Sequence, residues 1–269
     1  MKLSFSTLGC PNYTVDQVVQ IAVDNGYQGV EIRQIRGEVQ LQNLEEFQPA
    51  GIAATRRKFE RSGLEVICIN SGIRFNSPDP AERAKQLQSV TTNCEIASAL
   101  GAKYVRVFGG PFPERQDHHV TFRLVREGLN RAVDEANSHG IVPLLETHDG
   151  FSTGKSSREL LDGISGEIGV IWDILHPYRN GESIADTIKA IAPMIRHVHI
   201  KDSSEFNGLA FDIKLPGEGI VPIAAAVTAL KSIGYEDFLS FEWEKGWHPE
   251  VPEPEVALPV YPKYMKSLL

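Results

Sequence analysis

Four short segments carry side chains able to hold a cation or move a proton: LLETHD (144–149), WDILH (172–176), RHVHIKD (196–202) and LSFEWE (239–244). Glu146, Asp173 and Glu242 offer carboxylate oxygens and His199 an imidazole nitrogen. Three oxygen donors with one imidazole make a ligand set for a single divalent ion. Without thiolates the set suits manganese, magnesium or cobalt better than structural zinc. In RHVHIKD, strand alternation turns His197, His199 and Lys201 to one face and Val198 and Ile200 to the other. A strand that aims three such groups one way needs something there to satisfy them.

The elements that must position these residues follow from periodicity. Runs rich in apolar and β-branched residues occur at 3–8, 29–33, 64–70, 104–109, 142–148, 168–175, 197–202 and 238–244. Amphipathic helical stretches fall between them. One has Thr14 as N-cap and Gly26 as its stop; another runs from Pro80 to Gly101. Eight strand–helix beats in this length predict an α/β fold, a closed (β/α)8 TIM barrel, as one domain spanning 1–269. An open doubly wound sheet is the rival, but no G-x-G-x-x-G follows the first strand. In a barrel the apolar set Val30, Ile32, Val105, Val107, Val198, Ile200, Leu239 and Phe241 packs under the helices. The opposite parity sends Glu31, Arg106, Glu146, Asp173, His199 and Glu242 inward, with Arg106 expected to pair with Glu31. The four candidate ligands then sit at successive strand ends, the fifth to the eighth.

Composition narrows the partners. Acidic residues (35) outnumber basic ones (27), which disfavours a general nucleic-acid or anionic-membrane binder. No run approaches 18 apolar residues, so no membrane span is expected. The N-terminus lacks a signal peptide's apolar run, and Cys10, Cys68 and Cys94 form neither a disulfide framework nor a zinc cluster. A cytoplasmic location follows as the expectation. The loops at 34–54, 203–220 and 246–262 lie at one end of the barrel, and the last, Pro-rich arm is available for a homo-oligomer contact. Trp243, Trp247, Phe151 and Phe211 are candidate walls of a pocket.

The ordered set of Glu in LLETHD, D-x-x-H at Asp173 and His176, HVHIKD, LPGEG and LSFEWE resembles the sugar phosphate isomerase/epimerase branch of the xylose-isomerase-like TIM barrel superfamily. The likeness runs over the whole chain and is strongest from 142 to 245. It implies one divalent metal ion, commonly manganese, with magnesium, cobalt or zinc as alternatives, on Glu146, Asp173, His199 and Glu242. It also implies Glu146 and Glu242 as the acid–base pair and His176 on a substrate oxygen. The 3-epimerases of this branch carry Arg six residues after the metal-binding His. Glu205 stands there in this chain, and Lys201 lies two after the His instead.

The implied chemistry is proton transfer beside the carbonyl of a keto-sugar or polyol-derived substrate, with His148 and Lys201 as further substrate contacts. Lys201 has a salt bridge to Glu244 or Asp202 as its other expectation. β-Elimination, by an inosose-dehydratase-like or keto-glycoside-cleaving lyase, would use the same residues. Endonuclease IV, of the same superfamily, needs histidines after the third and fourth strands, where this chain has INSG and FGGP. A non-catalytic sugar-binding barrel would have no use for the full acid–base set.

Overall fold

The structure, a computed structural model, describes residues 1–207 and 210–269. Its order is β1 (Lys2–Ser6), α1 (Val15–Asp24), β2 (Gly29–Ile32), α2 (Ile52–Arg61), β3 (Glu65–Ile69), α3 (Pro80–Leu100), β4 (Tyr104–Val107) and α4 (His118–Ser138). It continues with β5 (Val142–Glu146), α5 (Gly154–Leu161), β6 (Gly169–Asp173), α6 (Leu175–Arg179), α7 (Ile184–Ile191) and β7 (Ile195–Ile200). A small hairpin, β8 (Asp202–Ser203) and β9 (Ile213–Lys214), precedes α8 (Ile223–Ser232), β10 (Phe238–Phe241) and α9 (Pro254–Met265). Eight strands close into a parallel barrel in the order β1-β10-β7-β6-β5-β4-β3-β2, with helices between them. The expected (β/α)8 barrel is therefore present.

Local signals act where expected. Thr14 caps α1 in a reciprocal capping box with Gln17, and Asp79 with Pro80 opens α3. Gly101 ends α3 at φ 78°, a left-handed position that costs a residue with Cβ more than glycine. The strand residues assigned to the helix side, from Val30 and Ile32 to Leu239 and Phe241, are fully buried.

Several strands end earlier than the sequence predicts. β5 stops at Glu146 and not at 148, β6 at Asp173 and not at 175, and β10 at Phe241 and not at 244. After Asp173 the chain turns at once into the one-turn α6, which α-region backbone at Ile174 permits. The chemistry-bearing residues thus stand at strand ends and in the first residues beyond. The 203–220 stretch, expected as a loop, contains the β8–β9 hairpin; Gly208 and Leu209 lie outside the described residues.

The chain divides into two compact units, residues 1–67 with 197–269 and residues 68–196. In the first, strands β2, β1, β10 and β7 run side by side, with Ser4 opposite Ser240 and Ser240 opposite His199. In the second, β3, β4, β5 and β6 do so, with Arg106 opposite Leu144 and Glu146 opposite Ile171.

Candidate metal centre and active site

In the first unit, Glu31 on β2 reaches two histidines of β7. Its Oε2 lies 3.0 Å from His199 Nε2 in a hydrogen bond, and its Oε1 lies 2.9 Å from His197 Nε2, off the line of one. All three residues are fully buried. Between β2 and β7 stand β1 and β10, whose Ser4 and Ser240 are short and buried, so the carboxylate can span the interior. Burial by itself would raise the Glu31 carboxyl, but the His199 and His197 imidazoles outweigh it and hold it well below the usual carboxylate range. With Nε2 engaged by Glu31, His199 turns Nδ1 toward Glu242 Oε2 at 3.3 Å. A carboxylate on one imidazole nitrogen that leaves the other to face outward is the usual support of a metal-ligating histidine.

Lys201 stands just past β7 and is almost fully buried. Its Nζ lies 2.6 Å from Glu242 Oε2 and 2.5 Å from Glu244 Oε1. Of the two salt bridges expected for it, that to Glu244 is formed. Asp202 is engaged elsewhere: its carboxylate accepts from the backbone N–H of Ser203, Gly217, Gly219 and Val221 at 2.9–3.0 Å. The GEG turn is therefore clamped by the protein's own carboxylate. A Cβ at Gly219 would meet Asp202 Oδ1 at 2.2 Å, so the turn admits only glycine there.

Glu244 also faces His248 Nε2 at 3.5 Å, and His248 Nδ1 faces Glu250 at 3.1 Å. Burial would raise the Glu244 carboxyl, but the Lys201 charge, followed by the His248 hydrogen bond, lowers it. The bond to Glu244 pushes the His248 imidazole up to about 9 from 6.5. Its folded value exceeds its unfolded one, so the stabilisation is complete below about pH 6.5 and is lost as pH rises through about 9. Because the side chain is 37% exposed, the loss is expected to stay below about 1 kcal/mol. Urea midpoints across this range should fall for the native chain and lose that slope in His248→Gln. An equal slope in the variant would dismiss the contact.

In the second unit, Arg106 on β4 is buried and directs Nη1 to Glu146 Oε2 at 2.9 Å, with Nε on Ser71 O at 3.2 Å. Its guanidinium lies 4.5 Å from the centre of the Phe108 ring. This corrects the expected Arg106–Glu31 pair. The partner is one stave away on β5, and Glu31 is engaged by the two histidines. Asp173 ends β6, where its Oδ1 accepts from Leu175 N at 2.9 Å and its Oδ2 lies 3.4 Å from His176 Nε2. Thr147 Oγ1 accepts from Asp173 N and donates to Asp173 O, tying the ends of β5 and β6 together. His148 meets His176 edge-on at 4.3 Å between ring centroids, with its Nδ1 on Asp149 Oδ1 at 3.1 Å. Burial raises the Asp149 carboxyl, but the His148 bond and charge, then Arg74 and Arg179, bring it below its ordinary value.

Two of the expected pocket walls are core residues. Trp243 is fully buried with Nε1 on Pro252 O, and Phe151 is buried in the short 3-10 turn that precedes α5. Trp247 is exposed, with the Arg33 guanidinium 5.3 Å from its ring centre. Glu31 is the candidate site residue whose partners the sequence concealed. The visible signal was its inward parity on the second strand, and its partner lies 168 residues away. The three cysteines are buried and none of them is in a disulfide. Burial pushes the Cys10 thiol up, and Cys94 up to about 12. Among the described residues, no helix is long and apolar enough to cross a membrane.

Comparison with known proteins agrees with this architecture. Inosose isomerase of Bacillus velezensis is 23% identical, over 90% of this chain and 88% of its own length. Fructoselysine 3-epimerase of an Escherichia coli strain is 21% identical, over 90% of each chain. The crystal structure of the IOLI protein with a bound zinc atom superposes with a TM-score of 0.85. It is 21% identical and covers 100% of this chain and 98% of that one. The family model described as xylose isomerase-like TIM barrel matches residues 19–259. With its closed ring of eight parallel strands, the chain belongs to the xylose isomerase-like TIM barrel family.

Proposed function

We propose that this chain is a divalent-metal-dependent enzyme that moves a proton at the carbon beside the carbonyl of a keto-sugar or polyol-derived ketone, giving isomerisation or epimerisation. One observation carries this. Glu146, Asp173, His199 and Glu242, at the ends of β5, β6, β7 and β10, form a wholly buried group whose ligand atoms all lie within 4.8 Å of one another. Charge supports the fit. Arg106 and Lys201 offset two of the four carboxylates Glu146, Asp173, Glu242 and Glu244, and one divalent ion would offset the other two. The oxygen-rich, thiolate-free donor set favours manganese, with magnesium, cobalt and zinc as the other candidates.

When bound, such an ion supplies Lewis-acid stabilisation of a developing oxyanion. The remaining work falls to the side chains. Glu146 and Glu242 are the acid–base pair: one removes the proton from the carbon and the other delivers a proton, to the opposite face or to the neighbouring carbon. His176 and His148 bind substrate oxygens, and Lys201 fixes Glu242 in place. We take residues 1–269 as one catalytic domain and, with none of its three buried cysteines in a disulfide, assign it to the cytoplasm.

The test is a manganese-supplemented screen of ketoses, inososes and keto-glycosides in deuterated water. A product of unchanged formula, carrying solvent deuterium at the reacting carbon, supports the proposal. Loss of water or of a glycosidic fragment would assign the site to a lyase, and turnover unaffected by a chelator would refute the metal requirement. A narrower expectation concerns Glu31. Glu31→Gln should weaken metal affinity roughly 10–100-fold by freeing the His199 ring, measured by metal titration. Unchanged affinity would show that Glu31 does not orient the ligand.

A further inference from the structure

The ion pair between Arg106 and Glu146 bears on how many cations the centre takes. Glu146 also belongs to a second group, with His148 and His176, whose ligand atoms lie within 4.8 Å of one another. His148 Nδ1 lies 3.1 Å from Asp149 Oδ1, the kind of carboxylate neighbour that orients a ligating imidazole. A carboxylate and two imidazoles are a sound donor set for a transition-metal ion. For that ion to sit beside the first, as in two-metal enzymes with ions about 3.5–4 Å apart, Glu146 would have to bridge, one oxygen to each. Its Oε2 is already taken by Arg106 Nη1 at 2.9 Å. The guanidinium is anchored by Ser71 O and lies over Phe108, and its charge persists at every working pH.

We propose that Arg106 keeps this a one-ion centre: its guanidinium occupies the Glu146 oxygen that would bridge and repels a second divalent ion from the Glu146, His148 and His176 group. His148 and His176 are thereby kept for substrate oxygens. The proposal rests on the one-ion site argued above.

Its test is the metal content of purified, manganese- or cobalt-loaded protein after desalting, by elemental analysis, so no substrate is needed. Wild type should hold one ion per chain. Arg106→Gln and Arg106→Met should hold two, Arg106→Lys one, and His148→Ala added to Arg106→Gln should return the count to one. Folded neutral variants that still hold one ion, or a wild type that holds two, would overturn the proposal. If neither neutral variant folds, wild type and His148→Ala decide: one ion in each supports it, and loss of the ion on His148→Ala overturns it. A wild type that takes up no ion brings down the one-ion site itself, a result distinct from all the others.

Discussion

Glu242→Gln is expected to lower turnover by roughly 10²–10⁴-fold at saturating metal, the usual contribution of a positioned acid–base group. The amide keeps the volume of the carboxylate, so packing around this buried position should survive. What it loses is the ability to take a proton and the charge that faces Lys201 at 2.6 Å and His199 Nδ1 at 3.3 Å. Metal binding should weaken as well, and for that reason the rate must be read on a fully loaded enzyme. Glu146→Gln should fall into the same range. It should also weaken the hold on Arg106, whose Nη1 bond to Glu146 Oε2 would face a neutral partner. Full turnover in both variants, measured on the true substrate, would end the two-glutamate mechanism and leave the metal question standing. A loss in one only would identify the partner that acts in the slower proton transfer.

Lys201→Met is expected to cost about 3–5 kcal/mol of stability, the penalty for breaking a buried pair by removing one partner. The ammonium is 1% exposed and stands between Glu242 and Glu244. Methionine fills the same space, so the cost measures charge and not a cavity. Two carboxylates would then face each other in a largely buried site, where like charges are unfavourable. A shift in the urea midpoint at unchanged slope is the appropriate readout, taken with chelator present so that metal binding does not mask it. Adding Glu244→Gln to Lys201→Met should recover much of the loss, because the repulsion needs both carboxylates. A loss below about 1 kcal/mol, the scale of a surface pair, accompanied by a raised KM, would instead make Lys201 a substrate contact.

Much of this was legible in the chain itself. Alternation with period two, interrupted by helical stretches with Thr14, Asp79 and Gly101 as their punctuation, was enough for an eight-beat barrel. Those are local signals: each depends on residues a few positions apart, and burial of one face of each strand enforces them. The same alternation assigned Val198 and Ile200 to the helix side and His197 and His199 to the interior. Strand lengths were less accurate, because Thr147 after Glu146, and Ile174 and Leu175 after Asp173, still read as strand residues where the backbone has already turned. Thr147 binding the end of β6, and the immediate start of α6, set where pairing stops.

What the tertiary structure alone decided is which buried charge meets which. The sequence placed Glu31, Arg106, Glu146, His199 and Lys201 on inward faces, offered Glu31 to Arg106 and Glu244 or Asp202 to Lys201, and could not rank these against the other pairings of opposite sign. Closure of the ring chose among them. Arg106 found Glu146 on the next stave. Glu31 reached His199 past the short side chains of Ser4 and Ser240, and Lys201 settled between Glu242 and Glu244. Side-chain parity is a property of one strand. The distance between two charges depends on strand order, register and the size of what stands between them, and these exist only once the barrel has closed.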